Sequence, residues 1–109
     1  MQQLIIELKE LRKKLNDNLK EIERKGYEKA KTEYNYKIAL SKEIRIEREN
    51  KMPVTIINDV VKGKKEIAQL RFYRDNAASS YDVAYEKQRA IKLEIGIVEG
   101  QINAIRKGE

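Results

Sequence analysis

Apolar residues recur through the first half of the chain at Leu4, Leu8, Leu11, Leu15, Leu19 and Ile22, then at Ala30, Tyr34, Ile38 and Ile44. Gly26 and Ser41 fill the gaps. The mean step is about 3.6 residues, that of a straight α-helix. The spacing predicts a first helix over about residues 3–50, with one stripe turned toward a packed partner. The second half has a different period. Ile67, Leu70, Arg74, Ala77, Tyr81, Ala84, Gln88, Ile91, Ile95, Val98, Ile102 and Ile105 alternate steps of three and four without a break. A heptad seam of this kind predicts a second helix over about residues 64–107. Arg74 and Gln88 either extend their polar ends from the seam edge or set register and partner number.

Between the two helices, Pro53 ends the first, because the residue before a proline is pushed out of helical space. Thr55 is placed to cap a short helix by accepting a bond from a free backbone N–H. Ile56, Ile57, Val60 and Val61 would share one face and cover the open end of the hairpin. Gly63 suits the left-handed residue that closes such a helix. A β-strand over 54–57 is the rival, since Val-Thr-Ile-Ile favours extended backbone. The short helix, over about residues 52–63, is preferred. The expected fold is all-α: a single-domain, long antiparallel helical hairpin with a short helix at the turn. In its register Tyr34 would face Tyr81, and Gly96 and Gly100 would fall opposite Leu19 and Leu15. The Gly-x-x-x-Gly spacing reads as close helix packing, or else as a local bend, because each mid-helix glycine costs ~1 kcal/mol against alanine.

One seam between two helices leaves Ile5, Leu40, Ile46, Leu93 and Ile97 off it. Small cores are commonly stabilised by oligomerisation. Two hairpins joined into a four-helix bundle or coiled coil would cover these positions. A homo-oligomer, a dimer first, is therefore expected. Its seam would be Ile67, Leu70, Ala77, Tyr81, Ala84, Ile91, Ile95, Val98, Ile102 and Ile105. Otherwise the exposed stripe binds another protein.

The 109 residues hold 24 Lys plus Arg against 18 Asp plus Glu, a formal charge of +6. The surplus gathers toward the turn, at Lys42, Arg45, Arg48 and Lys51, then Lys62, Lys64 and Lys65, then Arg71 and Arg74. Glu43, Glu47, Glu49, Asp59 and Glu66 stand among them and dilute the field. Such a patch can contact phosphates without reading sequence. Alternatively it is a solvated surface laced with pairs such as Glu21 with Lys25. The six tyrosines read as core rather than as a base-stacking surface, and no nucleic-acid motif is evident.

The sequence contains no Cys and no His. That excludes a disulfide framework, a zinc knuckle, a Ser-His-Asp set and imidazole metal ligands. Lys62-Gly63-Lys64-Lys65 lacks the spacing of a phosphate loop. Carboxylates such as Glu7 and Glu10 read as solvated. No enzyme, cofactor, metal or small-molecule substrate is expected. No apolar run approaches the ~18 residues of a membrane span. Met1-Gln2-Gln3 lacks a basic leader and Glu7 interrupts any apolar one, so a cytoplasmic protein is expected.

Pro53-Val54-Thr55, Lys62-Gly63, Ala68, Leu70-Arg71, Arg74-Asp75, Ala77 and Tyr81 form a further pattern, continued by Lys92-Leu93-Glu94-Ile95 and Gln101-Ile102. In it the chain resembles a family of small helical proteins from phages and prophages of Gram-positive bacteria. The stretch before Pro53 shares only helical character. The resemblance implies a phage accessory protein acting in the host cytoplasm, with no active site to transfer. The leading functional expectation is a non-enzymatic interaction protein that binds and modulates a protein or nucleoprotein partner. Inhibition of a host defence nuclease, such as a CRISPR effector, fits the size and composition. A DNA mimic does not, because mimics are strongly acidic. The alternatives are a non-sequence-specific nucleic-acid-binding accessory protein of phage replication or recombination, and a structural or assembly protein.

Overall fold

A computed structural model describes residues 1–108 as three helices: α1 (Gln2–Glu49), α2 (Val54–Lys62) and α3 (Lys65–Gly108). The chain is an all-α helical hairpin. α1 and α3 pack against each other, α2 stands at the turn, and the described residues contain no strand. The strand propensity of Val54–Ile57 is overridden because Ile57 and Val61, four residues apart, share one helical face and are both buried.

The turn closes differently from the sequence expectation. Lys51, not a glycine, takes the left-handed conformation, with φ 63°. Its N–H donates to the Arg48 carbonyl, and the Met52 N–H reaches back to the Glu47 carbonyl, both at 3.0 Å. This pair of bonds is a Schellman closure of α1. α2 begins directly after Pro53, whose fixed φ suits a helix start, and no side chain caps it. Thr55 therefore lies inside the first turn and does not act as the cap. Gly63 is right-handed, at φ −83°, and needs none of glycine's freedom. Ile56 and Val60 are exposed rather than sharing the buried face of Ile57 and Val61.

The buried stripe of α1 also departs from expectation. Leu19, Ala30, Tyr34 and Ile38 are exposed. Burial instead follows Leu4, Leu8, Leu11, Leu15, Asn18, Ile22, Lys25, Lys29, Thr32, Tyr36, Ala39 and Glu43, again in steps of three and four. α1 therefore carries a heptad seam, as α3 does, and two such helices keep their seams facing each other. After Ile22 the seam turns largely polar while apolar residues continue on the outer side. The two runs together mimic a single straight-helix stripe.

Contacts divide the chain into two units. One comprises Met1–Arg24 with the stretch from Tyr81 onward. Its core is Leu11, Val98 and Ile102, flanked by Leu4, Ile5, Leu8 and Ile95. Asn18 is buried in this seam, and its Nδ2 donates to the Ala84 carbonyl at 3.1 Å. Nearby, Lys87 donates to Glu21 at 3.4 Å. The other unit is Lys25–Ser80. Its core is Tyr36, Ile57, Val61 and Ile67, with Ala39, Leu40, Ile44, Met52 and Leu70 packed around it. Thr32, on the polar part of this seam, satisfies its hydroxyl by donating to the Glu28 carbonyl of its own helix at 2.9 Å.

These contacts set a register several residues away from the expected one. Tyr36 rather than Tyr34 is the inward tyrosine, and it meets Arg74. A Cβ built on Gly96 or Gly100 would touch nothing within 4 Å. The close-packing reading of Gly-x-x-x-Gly against Leu19 and Leu15 is thus overturned, because both glycines lie on the solvent side of α3.

Candidate interaction faces

The α3 heptad positions are occupied within the chain. Ile67, Ala84, Ile91, Val98 and Ile102 are buried, Leu70, Ala77, Tyr81 and Ile95 are half-buried, and only Ile105, near the helix end, is exposed. These residues form the intramolecular seam with α1, so they do not offer a free face to a second copy. Tyr81 sits edge-on to Tyr85, with ring centroids 5.0 Å apart. The Tyr85 hydroxyl bonded beside it, and then burial, raise the Tyr81 hydroxyl above its ordinary pKa.

The basic residues near the turn fall into two groups. Lys64 is held by two carboxylates, Glu47 at 2.7 Å and Glu43 at 2.9 Å. Hydrogen bonding to Glu47 first, and then to Glu43, raises its pKa above the ordinary lysine value. Arg74 lies with its guanidinium carbon 4.4 Å above the centre of the Tyr36 ring, and it pairs with Asp75 at 3.0 Å. That is a cation–π contact on a seam position, so Arg74 is fixed within the fold rather than merely projecting from its edge. Lys64 and Arg74 are therefore structural cations, already neutralised inside the unit. Lys42, Arg45, Arg48, Lys51, Lys65 and Arg71 are exposed, and Lys62 is half-buried. Of the acids that dilute the charge in the sequence, Glu43 and Glu47 face inward to Lys64, while Glu49, Asp59 and Glu66 stay exposed among the outer cations.

The tyrosines are mostly surface residues. Tyr36 alone is buried, whereas Tyr27, Tyr34, Tyr73 and Tyr85 are exposed. The reading of all six as core fails for these four. The signal that separates them is the heptad phase of α1. Tyr36 is in phase with Leu15 and Ile22, while Tyr27 and Tyr34 are in phase with each other on the opposite side.

A second heptad stripe runs along the outer side of α3. Ala90, Leu93, Ile97, Gly100 and Ala104 fall at its steps, with Val83 beyond the charged Glu86, and all are exposed. Leu93 is 67% and Ile97 55% exposed. α2 adds Val54, Ile56 and Val60 as exposed apolar residues beside the turn. In the sequence Leu93 and Ile97 lie off the main stripe, and their exposure beside small neighbours joins them into a second one.

Among the described residues no group of three or more acidic side chains is placed to hold a metal ion, and no helix is long and apolar enough to cross a membrane. In comparisons with protein-family models, with curated proteins and with solved structures, nothing matches this chain.

Proposed function

We propose that this protein is a non-enzymatic interaction protein that self-associates and modulates a protein or nucleoprotein partner. We further propose that it is a phage accessory protein working in the host cytoplasm, as its resemblance implies. One observation carries the interaction reading: the heptad stripe on α3 that faces away from the intramolecular seam. Isolated exposed apolar residues are ordinary, but a stripe repeated at heptad steps is the form in which a helix presents itself to another helix. The stripe is also self-complementary. An antiparallel pairing of two copies brings Leu93 of each chain to Ile97 of the other and Ala90 to Gly100, so that large meets large and small meets small. Its small residues let two backbones approach, which gives Gly100 a use that the monomer fold does not. A defence nuclease of the host, such as a CRISPR effector, is the partner class to assay first.

Light scattering coupled to size exclusion tests this reading. The wild-type chain is expected to run at the mass of a dimer. The double variant Leu93→Glu with Ile97→Glu is expected to run as a monomer of unchanged helicity, because both side chains point outward. A wild type that stays monomeric at all accessible concentrations overturns self-association by this face. A dimer unaffected by the double variant moves the interface elsewhere. Addition of the purified protein to a nuclease cleavage reaction then tests modulation directly.

A further inference from the structure

We propose that the outward side of α1 between Tyr27 and Arg48 is a track for single-stranded nucleic acid, with Tyr27 and Tyr34 as base-stacking platforms and Lys31, Lys42, Arg45 and Arg48 as phosphate contacts. Tyr27 and Tyr34 are each 66% exposed. Seven residues apart, they lie on the same side of the helix, about 10 Å from one another along its axis. Each ring can therefore take a separate base. Lys31, Lys37, Lys42, Arg45 and Arg48 are exposed along the same side. Lys37, Leu40, Ser41, Ile44, Arg45 and Arg48 line a hollow of about 440 Å³ there.

The charge on this side is predominantly positive because the fold has turned Glu43 and Glu47 away, while Glu28 and Glu49 stay exposed at its two ends. Glu43 and Glu47 are bound to Lys64 on the inward side. Glu28 and Lys31 both line a groove shared with Tyr73 and Asn76 of α3, at the edge of the track, so the positive field is strongest from Lys42 to Arg48. Glu33 stands at the edge of the track and pairs with Lys37 at 3.4 Å, which is why Lys37 is left out of the phosphate contacts. No sequence count shows this bias, because basic and acidic residues alternate along the chain and only the inward turn of Glu43 and Glu47 tips the balance.

Cations alone would suit any polyanion. The paired exposed tyrosines favour single strands, whose unstacked bases can lie on aromatic rings, over a duplex, whose bases are already stacked. An acidic protein segment would use the cations and leave the rings idle. The track uses no residue of the α3 stripe and requires no second copy.

Fluorescence anisotropy with a labelled oligo-dT of about 20 nucleotides tests the proposal, since single-strand sites span about 4–16 nucleotides. The wild type is expected to bind at 50 mM salt, with a log–log salt slope of about −3 for four neutralised phosphates. Tyr27→Ala and Tyr34→Ala are each expected to weaken binding about fivefold or more while leaving the slope unchanged. Arg45→Gln is expected to flatten the slope by about 0.7. Lys65→Gln and Arg71→Gln, both on α3, are expected to bind as wild type. The Leu93→Glu, Ile97→Glu chain is expected to bind the oligonucleotide too, which separates this proposal from self-association. Absence of binding at low salt overturns the proposal. So does tyrosine-variant binding equal to wild type at unchanged helicity, duplex binding as tight as oligo-dT, or equal competition by poly-glutamate.

Discussion

Asn18 is the polar residue most deeply set in the seam, at 1% exposure. Its Nδ2 is bonded to the Ala84 carbonyl, while its Oδ1 has no partner. A half-satisfied buried amide lowers stability, and such a residue is tolerated in a seam where it holds register. Ala84 leaves the room that Asn18 needs, so the two positions are matched in size. Asn18→Leu keeps the branched shape and adds bulk that the small Ala84 leaves room for, and the Ala84 carbonyl retains its own helical bond. The variant is expected to gain about 1 kcal/mol and melt at higher temperature, while its amide spectrum broadens or doubles as the register loosens. A lower melting temperature would show that the Asn18 bond is a net stabiliser. Tyr36 and Arg74 make the corresponding polar contact in the other unit, where a charged seam residue is accommodated by stacking on an aromatic face rather than by burial alone.

Each long helix is two-faced, and its inner face is not its most apolar one throughout. On α1 the seam passes through Lys25, Lys29, Thr32 and Glu43 while Tyr27, Tyr34 and Ile38 stand outside. On α3 the seam is apolar apart from Arg74 and Gln88, and a second, smaller-residue stripe lies opposite. Gly100 belongs to that second stripe and Gly96 lies beside it, and the surroundings of both are open. In the isolated chain, alanine at either position therefore fills no occupied space and relieves the glycine penalty. Gly96→Ala and Gly100→Ala are each expected to stabilise α3 by about 1 kcal/mol, read as an upward shift of the thermal midpoint at low protein concentration. If the outer stripe pairs two chains as proposed, Gly100→Ala is expected at the same time to weaken the dimer, because a Cβ then enters the contact. A destabilised monomer would mean that a neighbour crowds these glycines in solution.

The molecule distributes its core between two clusters rather than one. Leu11, Val98 and Ile102 hold one unit, and Tyr36, Ile57, Val61 and Ile67 hold the other, which includes the turn. Within the second unit the seam near Lys25, Thr32, Ala77 and Ser80 is polar and borders a groove. Local opening follows such variation in packing. Ile57→Ala removes a nearly fully buried side chain and is expected to cost about 2–5 kcal/mol. Its effect on amide hydrogen exchange is expected mainly in Lys25–Ser80, with the amides around Leu11 and Val98 keeping most of their protection. Uniform loss of protection would show instead that the hairpin opens as one cooperative body.

The hairpin was legible because its evidence is local. An unbroken alternation of threes and fours from Ile67, a single proline at the turn and helix-favouring residues on both sides leave few other arrangements. The same local evidence misled wherever two faces of one helix were both partly apolar. Leu19, Tyr34 and Ile38 fit a straight-helix stripe as well as Asn18 and Tyr36 fit a heptad. Hydrophobicity cannot choose between the two when the seam itself carries Asn, Lys, Thr and Glu. That choice came from the second helix. α3 presents a heptad seam, and α1 buries whichever of its faces keeps step with it, even at the cost of enclosing Asn18 and setting Glu43 and Glu47 inward. The inward turn gave Lys64 its partners, withdrew Glu43 and Glu47 from the outer side of α1, and left Tyr27 and Tyr34 in solvent. Element type follows from propensity and spacing along one chain segment. Which face is buried, and therefore which charges remain for a partner, depends on the free energy of two segments meeting.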